Sequence, residues 1–318
     1  MIANCLGINE AGHLEISGCD TVRLAEQYGT PLYVMSEDEI RSVCRRYVAS
    51  FAKNYNGNGK PIYASKAFSC KEIYRIVLSE GLDVEVVSGG ELYTALQAGV
   101  PGSQIHFQGN NKSAGELTMA VENGGGDIVV DNLYELERLN AIAGEHSMVA
   151  PISFRIKPGI DAHTHEFIRT GQVDSKFGLD LASGEAMAAL RRAKAMEHVA
   201  VKGLHCHIGS QILEKAPFVH AAEVMLQFYA KVRDELGMAF EHLNLGGGFG
   251  IHYTAQDDAI PYEEYMEDVS AMVHSTCEKL GLELPRIYIE PGRSIVGEAG
   301  ITLYTVGSIK EIPGVRTY

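Results

Sequence analysis

Polar side chains that can act as acids, bases or nucleophiles recur directly after short apolar segments of this sequence. Lys66 follows the apolar stretch that includes Tyr63 and Ala64. An isolated lysine usually lies along the surface or in an ion pair. A partly desolvated lysine amine can instead act as a nucleophile near neutral pH and form a Schiff base. Polar groups follow seven further segments: residues 88–91, residues 108–110, Asp131 with Asn132, Arg155 with Lys157, His205 and His207 with Ser210, residues 246–248, and Glu290 with Arg293.

The run Gly246-Gly247-Gly248-Phe249-Gly250 is a candidate phosphate-binding loop. Glycines allow several backbone N–H groups to converge on an anion, and the N-terminus of a following helix would add its dipole. The structural alternative is a turn that needs positive φ, which explains one glycine more readily than three in succession. The sequence therefore predicts a phosphate site that combines this loop with Arg293.

Glu290, in Glu290-Pro291-Gly292-Arg293, is a carboxylate that can serve a pyridine nitrogen if the phosphorylated cofactor is pyridoxal phosphate. At about 4 Å and an effective dielectric of 20, a carboxylate attracts a pyridinium by roughly 4 kcal/mol. This attraction favours a protonated ring, which is the stronger electron sink. The alternative is an ordinary surface salt bridge between Glu290 and Arg293.

The apolar segments alternate with amphipathic helical patterns, which predicts eight strand–helix units. Strands that are apolar on both faces indicate a parallel sheet. Eight repeats favour a closed (β/α)8 barrel, an α/β fold of the TIM type, over a doubly wound sheet. Strands are predicted over 61–67, 84–88, 104–108, 127–131, 151–156, 201–208, 242–245 and 286–289. Helices are predicted over 71–80, 91–98, 114–122, 133–143, 184–195, 217–236 and 262–279.

The segments outside these repeats predict further β-structure. Residues 1–30 contain short strand-like pieces and a helix over 21–28, residues 31–35 form another strand, and Ser36 with Glu39 predicts a capping box. Residues 299–309 alternate like a strand. We therefore expect three parts: an N-terminal segment over 1–30 that contributes to a β-domain, a barrel over 31–295, and the beginning of a C-terminal β-domain over 296–318, its remainder absent from the sequence.

Composition and charge exclude several classes of function. The 318 residues carry a formal net charge of −14, which opposes binding to nucleic acid or to an anionic membrane. The N-terminus lacks the features of a secretory signal, and no run approaches the 18 apolar residues of a membrane span. The six scattered cysteines predict buried free thiols in a reducing compartment. Together these features predict a cytoplasmic protein.

Six motifs in order along the chain resemble those of the diaminopimelate decarboxylases, a family of fold-type III, alanine-racemase-like pyridoxal-phosphate enzymes. The resemblance runs from about residue 5 to the last residue, and residues 170–178, preceded by 163–166, favour this family over its relatives. The motifs are residues 63–67 (YASKA), 87–92 (VSGGEL), 170–178 (TGQVDSKFG), 205–210 (HCHIGS), 246–250 (GGGFG) and 290–293 (EPGR).

The resemblance implies a role for individual residues. Lys66 would form the Schiff base with pyridoxal 5′-phosphate, His207 would stack on its ring, and Glu290 would pair with the ring nitrogen. Glu85 stands where relatives usually have an aspartate close to the lysine. The remaining implied groups would hold the phosphate or the substrate carboxylate, and they are Arg155, Ser210, Gly246, Gly247, Gly248, Pro291, Gly292 and Arg293.

The implied reaction is decarboxylation of meso-2,6-diaminopimelate to L-lysine and carbon dioxide. The resemblance also implies a homodimer and essential groups beyond Tyr318, including a proton-donor cysteine, so we expect a truncated chain with weak or no activity of its own. Arginine, ornithine and carboxynorspermidine-type substrates stay open.

Two other classes remain alternatives: an inactive cofactor-binding remnant or regulator, and a metal-dependent hydrolase that uses His205 with His207 or His163 with His165. Asp131 is the other candidate ligand at a strand end, and the resemblance implies no metal.

Overall fold

The computed structural model describes residues 3–160, 176–254 and 256–317, and its centre is a closed barrel of eight parallel strands. Residues 163–166 and 170–175, from the sequence motifs above, lie outside the described residues. The described strands are β1 (Leu6–Ile8), β2 (Leu14–Ile16), β3 (Cys19–Asp20), β4 (Leu32–Met35), β5 (Gly59–Ala64), β6 (Asp83–Val86), β7 (Ile105–Phe107), β8 (Asp127–Val130), β9 (Ala150–Lys157), β10 (Leu179–Asp180), β11 (Val199–Cys206), β12 (His242–Asn244), β13 (Arg286–Ile289), β14 (Gly300–Leu303), β15 (Glu311–Ile312) and β16 (Arg316–Thr317).

Helices follow most barrel strands and form the outer layer. The described helices are α1 (Thr21–Tyr28), α2 (Glu37–Tyr55), α3 (Lys71–Ser79), α4 (Gly89–Ala98), α5 (Ala114–Glu122), α6 (Leu133–Glu145), α7 (Glu185–Lys194), α8 (Ala216–Leu236), α9 (Tyr262–Leu280) and α10 (Arg293–Val296).

The order of strand pairing establishes the barrel. Going round, β5, β6, β7, β8, β9, β11, β12 and β13 are neighbours, and β13 pairs with β5 to close the circle. Every one of these pairings is parallel, and β10 adds two residues beside β9. The (β/α)8 barrel expected from the eight repeats is confirmed, and the doubly wound sheet is excluded.

Burial on both faces explains why the barrel strands are rich in apolar residues. All residues of β6 and β8 are buried. The outer faces of the strands pack against helix stripes such as Ile73, Tyr74 and Val77 of α3, which are fully buried. The apolar core therefore lies mainly between the barrel and the helices, and the polar ends of the strands remain available to the barrel mouths.

The segments outside the barrel form three small antiparallel units. Strands β1, β2 and β3 make one sheet, β4 pairs with β14, and β15 pairs with β16. Only half of the capping box predicted at Ser36 is present. The Ser36 hydroxyl accepts from the N–H of Glu39, but the Ser36 N–H donates to the carbonyl of Ala299 at 2.7 Å, so the Glu39 carboxylate has no free donor there.

All six cysteines are free thiols, as predicted. Their burial differs from the prediction, because Cys44, Cys206 and Cys277 are buried whereas Cys5 and Cys70 are half-buried and Cys19 is exposed. Within the described ranges, no helix is both long enough and apolar enough to cross a membrane.

Candidate active site

A cavity of about 470 Å³ opens at the carboxyl ends of the barrel strands. It collects side chains that are far apart in sequence, because the carboxyl ends of parallel strands meet at one rim. Lys66 comes from the turn after β5, His207 and Ser210 follow β11, and Glu290 and Arg293 follow β13. Further lining residues include Ala64, Ala67, Gly248, Phe249, Tyr253, Gly292, Ser294 and Gly297.

Lys66 is paired with a buried carboxylate. Residues Ser65–Ala67 leave β5 in a 3₁₀ turn, and the Lys66 Nζ donates to Glu85 Oε1 at 2.7 Å. Glu85, which stands where relatives usually have the shorter aspartate, therefore reaches the amine from β6. Desolvation disfavours the charged amine, but the carboxylates of Glu85 and Glu290 outweigh it and raise the pKa of Lys66.

Glu85 itself is fully buried, and its second oxygen, Oε2, has no hydrogen-bond partner among the described residues. Burial raises the pKa of Glu85, and the negative charge of Glu290 adds to that effect, although Lys66 acts in the opposite direction. The two groups thus form a lysine–carboxyl pair in which a proton can be held at the amine or at the acid.

Glu290 is a buried carboxylate with several hydrogen-bond donors. Asn244 Nδ2 donates to its Oε1 at 2.7 Å, and Gln108 Nε2 donates to the same oxygen. His205 Nε2 lies 3.2 Å from its Oε2. Burial opposes ionisation, but His205 and Lys66 outweigh it and lower the pKa of Glu290. This carboxylate is therefore ionised at neutral pH, and it is available as a partner for a cation inside the cavity.

His207 lines the cavity as a neutral imidazole. Its Nδ1 accepts from the N–H of Gly247 at 3.3 Å. Desolvation, together with the positive charges of Lys66 and Arg155, lowers the pKa of His207 well below its ordinary value. An uncharged ring that is fixed at one nitrogen can stack on a planar ligand without adding positive charge to it.

The glycine loop after β12 differs from the sequence prediction in two respects. No helix begins directly after it, since α9 starts only at Tyr262. Each of the three positions also requires glycine for a steric reason that does not depend on a bound phosphate. Gly246 and Gly248 have φ of 70° and 108°, and a Cβ at Gly247 would overlap the carbonyl oxygen of Glu290. Gly248 is the member of the three that lines the cavity.

Arg293 presents a cation to the cavity beside Ser210. Its Nη2 donates to Ser210 Oγ at 3.0 Å, and its Nη1 donates to the hydroxyl of Tyr253. The surface salt bridge between Glu290 and Arg293, considered from the sequence, is wrong. Glu290 is 3% exposed and bonds to amide and imidazole groups instead. Arg293, Ser210 and the Gly248 backbone together offer suitable donors for an anion.

Pro291 and Gly292 connect the ends of two strands. The carbonyl of Pro291 accepts from the N–H of Ala64 at 3.1 Å. A Cβ at Gly292 would lie 2.9 Å from the Cβ of Ala64, so a larger residue would push the two segments apart. These two residues therefore keep Glu290 and Lys66 on adjoining segments of the cavity wall.

Arg155 does not appear among the described residues that line this cavity. It is buried on β9, and its guanidinium carbon lies 4.4 Å from the ring centroid of Phe177. Desolvation lowers the pKa of Arg155, against the influence of Asp131, Glu290 and Glu85. Its charge thus acts on the site from behind the lining residues.

Asn244 is not identified from the sequence, and Gln108 is included there only among the polar groups at strand ends, without a role. Both are buried polar residues, Asn244 as the last residue of β12 and Gln108 directly after β7. A carboxamide at the end of a buried strand is the signal that points to them, but the sequence does not reveal that both side chains converge on Glu290.

The metal-hydrolase alternative required a cluster of ligands. In the parts of the chain that the structure describes, no group of three or more His, Cys, Asp or Glu side chains is arranged to hold a metal ion. His205 is bonded to Glu290, and His163 and His165 lie outside the described residues.

Comparison with protein families identifies the domain that holds this cavity. Residues 37–297 match the family of pyridoxal-dependent decarboxylases through its pyridoxal binding domain. That range includes the barrel strands from β5 to β13 and every residue placed in the site above.

Individual relatives agree with the family match. The chain is 48% identical over 98% of its length to a diaminopimelate decarboxylase of Bacillus subtilis (strain 168), and it covers 70% of that protein. It is 49% identical to the Bacillus methanolicus enzyme of the same name, of which it covers 72%. The diaminopimelate decarboxylase of M. jannaschii, solved in complex with L-lysine, superposes with a TM-score of 0.88 at 38% identity, covering 98% of this chain and 72% of that one. The resemblance inferred from the six motifs is confirmed, and the chain belongs to the pyridoxal-dependent decarboxylases and, among them, to the diaminopimelate decarboxylase family.

Proposed function

We propose that this chain catalyses the pyridoxal-phosphate-dependent decarboxylation of meso-2,6-diaminopimelate to L-lysine and carbon dioxide. The observation that carries the proposal is the shared cavity of Lys66, Glu290 and Arg293 at the carboxyl ends of the barrel strands. An amine, an ionised carboxylate and a guanidinium are the three groups that a phosphorylated pyridine aldehyde requires. The names of the relatives supply the substrate.

The residues of the cavity fit this cofactor. Gly248 and Gly209 approach each other so closely that a Cβ on Gly248 would overlap the Gly209 carbonyl, which brings bare backbone to the wall beside Arg293 and Ser210. We assign these groups to the phosphate. Lys66 would bind the aldehyde carbon, Glu290 would serve the ring nitrogen, and His207 would stack on the ring. Pro291 and Gly292 would hold the Glu290 segment against that of Lys66.

The chemistry divides between the cofactor and the protein. When bound, pyridoxal phosphate supplies an electron sink for the charge that remains on the α-carbon after carbon dioxide leaves. Glu290, ionised because of its donors, would keep a proton on the ring nitrogen and so strengthen that sink. Glu85 would accept or return the proton of the Lys66 amine at a distance of 2.7 Å. Arg155, which is buried behind the cavity lining, would add positive potential for the carboxylates of the substrate.

Cofactor binding tests the proposal directly. We expect the wild-type chain to bind pyridoxal phosphate with a visible absorbance band that is resistant to dialysis, and Lys66→Ala to lose it. Lys53→Ala is the matched control, because Lys53 is an exposed lysine of α2 that pairs with Glu267. A band that survives in Lys66→Ala would contradict the assignment of the lysine.

Substrate use is tested on the same samples by carbon dioxide release. We expect release from meso-2,6-diaminopimelate to exceed release from arginine, ornithine or carboxynorspermidine. Faster turnover of one of those three would show that the chain is a related decarboxylase with a different substrate. Tight cofactor binding without release from any of them would contradict the proposed activity of this chain and leave the cofactor assignment intact.

We also propose a homodimer and a cytoplasmic location for this protein. The homodimer is what the family resemblance implies, and the acidic composition with free thiols agrees with a reducing compartment. Light scattering after size-exclusion chromatography, with and without cofactor, tests the dimer. A mass of one chain at micromolar concentration in both conditions would contradict it.

A further inference from the structure

Asn244 lies behind the cavity wall, and its carboxamide connects two parts of the site. Its Nδ2 donates to Glu290 Oε1 at 2.7 Å, and its Oδ1 accepts from the N–H of Gly246 at 2.9 Å. The side chain is 1% exposed, so neither hydrogen bond is exchanged with bulk water. One amide therefore contacts both the carboxylate and the first glycine of the loop.

We propose that Asn244 is a positioning residue that holds the carboxylate of Glu290 at a fixed place relative to the glycine loop. This inference rests on the proposed function, in which Glu290 serves the ring nitrogen and the loop serves the phosphate of one cofactor molecule. Since both groups must bind the same rigid ring at two separate positions, their relative position decides whether they can bind it together.

The backbone already aligns the two segments, and Asn244 extends that alignment to the side chain. The N–H of Glu290 donates to the carbonyl of Gly246 at 2.8 Å, and the N–H of Leu245 donates to the carbonyl of Tyr288 at 2.9 Å. These bonds fix the main chains of β12 and β13 where they end. They leave the side-chain torsions of Glu290 free, and the Asn244 amide restrains those torsions.

The residue type is suited to this position. An asparagine side chain offers a donor and an acceptor on one short planar group. Aspartate would retain the acceptor for the Gly246 N–H, but it would replace the donor with a second negative charge beside Glu290. Gln108 and His205 also contact the carboxylate, but of the three side chains only Asn244 also contacts the glycine loop.

The substitution Asn244→Asp tests one hydrogen bond without the other, because it removes the bond to Glu290 and preserves the bond to Gly246. We expect the dissociation constant for pyridoxal phosphate, measured by absorbance titration, to rise about tenfold or more, as for loss of a hydrogen bond to a charged group. Asn123→Asp adds the same charge at an exposed position after α5 and should bind as the wild type does.

A double-mutant cycle with Glu290→Gln distinguishes positioning from a general effect on folding. With the charge at position 290 removed, Asn244→Asp should change the dissociation constant less than about twofold. Equal losses in both backgrounds would overturn the proposal. If Asn244→Asp does not fold, Asn244→Ser, which also lacks the donor amide, takes its place in the cycle.

Pyridoxal without the phosphate supplies a second readout. Pyridoxal lacks the phosphate that the loop would bind, so the position of Glu290 relative to the loop matters only for the phosphorylated form. We expect Asn244→Asp to weaken the binding of pyridoxal phosphate by a larger factor than the binding of pyridoxal. Equal losses for the two forms would overturn the proposal, because Asn244 would then act on Glu290 alone. If the wild-type chain binds no cofactor, the proposed function itself is wrong; if it binds and Asn244→Asp binds equally well, only this inference is wrong.

Discussion

The amine of Lys66 and the carboxyl group of Glu85 determine each other's protonation. Each lies within hydrogen-bond distance of the other, and one oxygen of Glu85 is buried without a partner in the described residues. A neutral amine is needed to attack an aldehyde, whereas the pKa of Lys66 is raised in the resting site. Cofactor capture should therefore depend on where the proton of this pair resides.

The substitution Glu85→Gln should shift the pH dependence of cofactor capture to lower pH. Removing an adjacent carboxylate lowers the pKa of Lys66, so more of the amine is neutral at a given pH. The shift should be about one to three pH units, the usual effect of one close opposite charge. Stopped-flow measurement of the rate of pyridoxal phosphate binding between pH 6 and pH 10 records it.

The control for this experiment is Glu137→Gln, which removes an exposed carboxylate that pairs with Arg192. Its pH profile should coincide with that of the wild type. A Glu85→Gln profile that also coincides with the wild type would mean that Glu85 does not control the proton on Lys66.

At the scale of single elements, the periodicity of the sequence predicted most strands and helices. Helices α1 and α5 have the predicted bounds, and a side chain caps the first turn of each. The strand predicted over 61–67 ends at Ala64 instead. The chain leaves the sheet there in the Ser65–Ala67 turn, where Ser65 is buried and Lys66 and Ala67 line the cavity.

Long-range contacts account for what could not be predicted in the site. The motifs identified Lys66, Glu290 and Arg293, since these residues stand at strand ends in their own segments. The bond from Asn244 to Glu290 spans 46 residues, and that from Gln108 spans 182. Whether side chains so far apart in sequence point at each other depends on how the barrel closes. This cannot be predicted from one sequence.

The contact between the glycine loop and β13 yields a prediction at this scale. A Cβ at Gly247 would overlap the carbonyl of Glu290, so Gly247→Ala should separate the two segments and displace the carboxylate. We expect a loss of unfolding free energy of about 1–3 kcal/mol, typical of overpacking, and at least tenfold weaker cofactor binding. Urea unfolding and absorbance titration measure the two quantities.

Gly115→Ala is the control for Gly247→Ala, because alanine at this position should stabilise the protein. Gly115 lies in α5, and a Cβ there meets nothing within 4 Å. Alanine should raise the unfolding free energy by about 0.5–1 kcal/mol through helix propensity and leave cofactor binding unchanged. Equal stability of the two variants would refute the steric account of the loop.

On the scale of the whole molecule, the two ends of the barrel have different roles. The carboxyl ends form the cavity, whereas the amino ends enclose a separate cluster of ionisable side chains. His106 has its two ring nitrogens 3.7 Å from Asp83 and from Asp127, and His242 lies 3.2 Å from Asp127. All four side chains are buried, so their charges are coupled to global unfolding and not to a local motion.

This cluster predicts how the stability of the barrel varies with pH. Burial opposes a charged imidazole, but Asp127 and Asp83 outweigh it and raise the pKa of His106 from 6.5 to about 9. A histidine whose pKa is higher in the folded state contributes its full stabilisation below pH 6.5, and it loses that contribution as the pH rises through 9. A shift of this size corresponds to about 3 kcal/mol.

We therefore expect the free energy of unfolding of the wild type, measured in urea, to fall by up to about 3 kcal/mol between pH 6.5 and pH 9.5 relative to that of His106→Gln. The comparison cancels the titration of thiols and other groups that both chains share. His274→Gln, which alters an exposed ring of α9 bonded to the carbonyl of Asn54, should follow the wild type across this range. Parallel curves for the wild type and His106→Gln would show that the imidazole is neutral in the folded barrel, and the two aspartates would then require another explanation for their burial.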